Sequence, residues 1–151
     1  MSMQTKTGQS YLVKKIIKQQ GCINIPAIGT SMYPNIKEGD SCRFVTCNLS
    51  YLSKGDIVLF ESQEGKLVAH RFISRKQDDK GSFYLFKGDT NLRLDDVIRP
   101  SSIIGKLETI KKGNRIIEST SFLNKLWGRL VVSLPFLSRL LNIYIHRVLG
   151  K

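Results

Sequence analysis

Residues 22 to 47, CINIPAIGTSMYPNIKEGDSCRFVTC, decide how this chain folds. Isoleucines at 23, 25 and 28 mark a short strand, and SCRFVTC (41–47) marks a second. Between them, AIGTSMYPNIKEGD (27–40) carries Gly29, Pro34, Gly39 and Asp40, all turn formers. As a bare connection the segment needs nothing more. As a display for the Ser31 hydroxyl it needs a base elsewhere in the chain, because an alcohol is a poor nucleophile until its proton is removed.

Working outward, SKGDIVLFES (53–62) places four apolar residues after a Gly-Asp turn, the pattern of a buried strand. KLVAHRFISR (66–75) and GSFYLFKGD (81–89) repeat that pattern, and DVIRPSSIIGKLETIKKGNRIIES (96–119) reads as one or two closing strands. No alternation of strands with helices occurs, so the expected class is a mostly β domain with mixed or antiparallel pairing. On the N-terminal side, SYLVKKIIKQQ (10–20) spaces Tyr11, Leu12, Val13, Ile16 and Ile17 along a helix, with Ser10 as its N-cap and Gly21 as its stop. At 151 residues and 41% apolar content, the chain has one domain's worth of core. The expected organisation is a helical segment (1–21), a compact β domain (22–120) and a basic amphipathic helical segment (121–151).

The charge is +12, and its placement is informative. From Lys111 onward eight Lys and Arg face one acid, Glu118, a net +7 in the residues that are also the most apolar. In SFLNKLWGRLVVSLPFLSRLLNIYIHRVLGK (121–151), Pro135 divides the segment into two helices. Its charge-free runs are shorter than the roughly 20 apolar residues of a membrane span. Basic residues among Trp127, Phe136 and Tyr144 are the composition of a helix lying in a membrane interface, and a hairpin packed on the β domain is the competing expectation. This combination favours peripheral membrane association over nucleic acid. Only 30 residues precede Ser31, which leaves little room for a separate helix-turn-helix unit. The N-terminus shows no apolar core of signal-peptide length. Cys22, Cys42 and Cys47 lack metal-ligand spacing and read as reduced thiols.

Two histidines are available as the base. His146 lies in the basic tail, and His70 lies in the strand-like VAHRFI. An imidazole is the natural partner for a serine hydroxyl near neutral pH, and a carboxylate is then needed to hold its tautomer. FKGDTNLRLDD (86–96) offers Asp89, Asp95 and Asp96. Asp89, directly after a strand, is the first choice on placement, with Asp96 second and Asp95 third.

GTSMYPNIKEGD (29–40), KGDIVLF (54–60), LVAHRFI (67–73) and FKGDTN (86–91) together resemble the boxes of the signal peptidase I family, within the superfamily that includes the self-cleaving LexA-type repressors. Histidine followed by arginine resembles the branch known from the endoplasmic reticulum and archaea, whereas the usual bacterial branch has a lysine base. The resemblance covers about residues 22–108. It implies a compact β-rich serine endopeptidase that cleaves a leader peptide or preprotein after small residues, with no cofactor or metal. It gives Ser31 as nucleophile, His70 as base, the Ser31 N–H as an oxyanion donor, and the later aspartate of a pair beyond the Gly-Asp box, here Asp96, as the acid. The chain departs from the family in three ways. Gly29 stands where many bacterial members carry a serine, an N-terminal span is lacking, and the box-to-pair spacing is one residue longer. The competing reading is a catalytically idle β module that binds peptides or membranes.

Overall fold

The computed structural model describes residues 3–150, with side chains from Gly8 onward. Helix α1 (Met3–Gln20) leads into seven strands: β1 (Cys22–Pro26), β2 (Ser41–Val45), β3 (Ile57–Glu61), β4 (Leu67–Asp78), β5 (Gly81–Lys87), β6 (Ile103–Lys112) and β7 (Arg115–Glu118). Helices α2 (Phe122–Ser133) and α3 (Pro135–Val148) close the chain. The protein is mostly β, and every strand pair is antiparallel. The sheet order is β1-β2-β6-β3-β4-β5, with β7 also paired to β6.

Strand β3 is buried at four successive residues because both faces of the sheet are covered. Ile57 and Leu59 pack with Ile17, Met32, Phe44, Leu107 and Ile110 on one face. Val58 and Phe60 pack with Phe72, Tyr84, Phe86 and Ile98 on the other. Each such side chain contributes about 1.5–3 kcal/mol by leaving water.

Helix α1 begins seven residues before Ser10, so Ser10 is not its N-cap. The Ser10 hydroxyl is buried and donates to the Gly65 carbonyl at 3.4 Å. The contacting stripe is Ser10, Val13, Lys14 and Ile17, the helical i, i+3, i+4, i+7 positions. Ile17 enters the core, and Lys14 pairs with Glu61 at 2.6 Å. Tyr11 and Leu12 fall outside this stripe and are exposed, contrary to the apolar face read from the sequence.

Pro135 does separate two helices, which bend by 99° at the break. The tail is seated on the β domain, the packed arrangement that composition ranked second. Gly128, Val131, Ser138 and Ile145 are buried, and Lys87 donates to the Ser138 hydroxyl at 2.9 Å. Trp127, read from sequence as an interfacial aromatic, turns inward instead and donates to Asp89 at 2.9 Å.

The three cysteines are free thiols. Burial, reinforced by the charge of Asp40, pushes the Cys42 thiol up to about 11 from an ordinary 9.0. Only the thiolate is alkylated. Iodoacetamide at about pH 8 should therefore modify Cys42 at least tenfold more slowly in the folded protein than in urea, read by peptide mass spectrometry. Because the folded value is the higher one, the stability Cys42 contributes is complete below pH 9 and is lost as pH rises toward 11. Equal alkylation rates in both states would contradict this burial.

Candidate active site

Ser31 sits in the tight turn that follows β1. The turn is closed by bonds from the Tyr33 N–H to the Thr30 carbonyl (3.0 Å) and from the Ile36 N–H to the Met32 carbonyl (2.9 Å). Met32 and Ile36 are both buried in the core beneath it, so the residue after Ser31 anchors the loop. Gly29 has φ +83°, a conformation that strains any other residue.

The FKGDTN box braces the other side of this turn. The Thr90 N–H donates to the Ser31 carbonyl at 3.0 Å, and the Thr90 hydroxyl donates to the Thr30 carbonyl at 3.3 Å. A Cβ on Gly88 would lie 2.9 Å from the Ser31 carbonyl oxygen, so this close approach requires glycine.

His70 lies on β4 opposite Val58, 6% exposed, with its ring edge-on to Phe60 at a centroid distance of 6.2 Å. Its Nε2 is 2.9 Å from the Ser31 Oγ, and its Nδ1 is 2.6 Å from an Asp95 carboxylate oxygen. With the proton on Nδ1, the imidazole donates to Asp95 and accepts from the Ser31 hydroxyl. Asp95 is itself positioned by its N–H, which donates to the Phe86 carbonyl at 2.9 Å. Ile98 bridges Tyr84 further along, so residues 95–98 run beside β5 as an irregular extra strand.

The order of preference among the carboxylates is therefore corrected. Asp89, the first choice, does not face His70. It is 1% exposed and receives Arg71 in a fork, Nε to Oδ1 at 2.7 Å and Nη2 to Oδ2 at 3.0 Å, along with the Trp127 indole. Arg71 also donates to the Gly55 carbonyl at 2.9 Å. Successive side chains of β4 point to opposite faces, so Arg71 carries Asp89 away from His70. Asp96, the second choice, is exposed, while Asp95 is half-buried with its carboxylate at His70 Nδ1.

No family model matches the chain, and no curated protein matches it. Ser31 and His70 stand at a cleft of about 800 Å³, walled by Ile25–Gly29 on one side, Leu67–Ala69 on the other, and Leu12 and Val13 of α1. Its walls are chiefly apolar. Among the described residues, no cluster of three His, Cys, Asp or Glu side chains offers a metal site. Sequence reasoning missed Thr90 and the Arg71–Asp89–Trp127 lock. Arg71 directly follows His70 and is a charge flanked by the apolar LVA and FI runs of β4, which was the available signal for a buried partner.

Proposed function

We propose that this protein is a serine endopeptidase in which Ser31 is the nucleophile, His70 the general base and Asp95 the residue that orients His70. The observation that carries this reading is the Ser31–His70–Asp95 relay, with links of 2.9 and 2.6 Å, at an apolar cleft. As Ser31 Oγ attacks the scissile carbonyl, His70 Nε2 takes its proton, and Asp95 stabilises the imidazolium through Nδ1–H. The oxyanion accepts from the Ser31 N–H. Collapse of this intermediate breaks the C–N bond as His70 delivers the proton to the leaving amine, and an acyl-serine remains. Water, deprotonated by His70, then attacks the ester, and the proton returns to Ser31 as the acid product leaves.

The cleft shape and its apolar walls suit an extended peptide with small or apolar side chains. The resemblance to signal peptidases points the same way, toward cleavage of a leader after small residues. A fluorophosphonate probe tests the chemistry directly, since it traps a serine only where a base activates it. One equivalent should add to Ser31, located by peptide mass spectrometry, and none should add to the chain after unfolding. Labelling spread over other serines, or no labelling in native protein, would leave the relay a structural hydrogen-bond chain.

A further inference from the structure

We infer that the outward faces of α2 and α3 form a docking surface for an anionic lipid bilayer. Each helix buries one stripe against the β domain, at Val131 on α2 and at Ser138 and Ile145 on α3. The opposite stripe of each is apolar yet open to solvent. Phe122 (76% exposed), Leu123 (75%) and Leu126 line α2, and Phe136, Leu140 (57%) and Ile143 line α3. Contiguous apolar surface of this kind marks a binding face. Lys125, Arg129, Arg139 and Arg147 are exposed on the same helices, and no acid occurs in the sequence after Glu118.

The charge selects the occupant. Four cations without an acid among them complement anionic headgroups, while the Phe and Leu side chains between them match the acyl boundary beneath those headgroups. A nucleic acid would leave the apolar stripe unsatisfied, and a second copy would bring the same cations face to face. Neither helix alone is long and apolar enough to cross a membrane; the two pass together only as a pair bent by 99°, and with one stripe of each already buried on the β domain the pair lies in the interface.

The hairpin remains fastened to the nucleophile loop while docked. Tyr144 stacks on Tyr33 at 5.9 Å, Asn142 donates to the Thr90 carbonyl at 3.2 Å, and Trp127 holds Asp89. Docking therefore sets the Ser31 cleft beside the lipid surface. The inference goes beyond the hydrolase reading and does not depend on it.

The test is sedimentation of the full chain with phosphatidylcholine vesicles, with and without about 30% phosphatidylserine, at about 50 and 500 mM salt. The protein should pellet only with the anionic vesicles, and the bound fraction should fall at the higher salt. Leu123→Glu with Leu140→Glu should weaken binding at least tenfold, with fluorophosphonate labelling of Ser31 and thermal melting as in the wild type. Arg139→Gln with Arg147→Gln, which leaves the apolar stripe intact, should weaken binding and flatten its salt dependence. Failure to pellet at low salt would overturn the inference, as would binding undiminished in both variants. A concentration-dependent dimer abolished by the leucine changes would also overturn it, since the face would then belong to a second copy. A labelled Ser31 with no vesicle binding leaves the hydrolase reading standing.

Discussion

Ser31→Ala and His70→Ala should each lower turnover of a cleaved peptide by about a millionfold, and the double variant should be no slower than either single one. In the proposed mechanism the two side chains act as one proton-transfer unit across a 2.9 Å hydrogen bond. Without the imidazole the hydroxyl keeps its proton, and without the hydroxyl the imidazole has nothing to activate. Both variants should fold, since Ser31 stands in a loop anchored by Met32 and His70 is replaced by a smaller residue on a strand held by β3 and β5. Initial rates by liquid chromatography for the four proteins read the result. Cleavage that survives His70→Ala, or two losses that multiply, would remove the dyad.

The carboxylates give the second large effect, and here three neighbouring substitutions should part company. Asp95→Asn should lower turnover by about ten-thousandfold with near-normal melting, because an amide at Nδ1 favours the wrong imidazole tautomer and cannot stabilise its cation. Asp89→Asn should instead strike stability. It strips the counter-charge from Arg71, whose side chain is 3% exposed, and breaking such a buried pair costs about 3–5 kcal/mol. The protein that remains folded should keep most of its turnover per active site, titrated with the fluorophosphonate. Asp96→Asn, on the exposed side of the same segment, should change neither. A collapse of turnover in Asp96→Asn with Asp95→Asn unaffected would reassign the acid.

Much of the fold was legible because its strands are punctuated by glycine and aspartate and carry apolar runs between. Each of the strand segments read from those signals is present, and the final segment splits into β6 and β7 at Gly113–Asn114. The start of α1 was misread because a serine before an apolar run resembles a cap, and only tertiary packing against Gly65 distinguishes a buried serine from one. In the site, Ser31 and His70 stood out by residue type and order. Asp95 did not, since three aspartates within eight positions offer equal chemistry, and only the tertiary path of residues 95–98 beside β5 separates them. The tail's double character was half legible. Composition shows an amphipathic basic segment, but which aromatic turns inward depends on the Asp89–Arg71 pair waiting beneath Trp127.

The sheet order has a consequence for the timing of synthesis. Strands β2 and β3 do not pair with each other, and the half carrying Ser31 is stitched to the half carrying His70 by β6 between them. Ser31, His70 and Asp95 are all translated before residues 103–112. A ribosome that has made all three has still not made the strand that aligns them. Domains take shape as units while the chain emerges, so β2 and β3 stay unjoined until β6 is made. The sheet that holds Ser31, His70 and Asp95 is complete only with β6, and α2 and α3 follow it in the sequence. On the hydrolase reading, strand order alone delays assembly of the relay during translation.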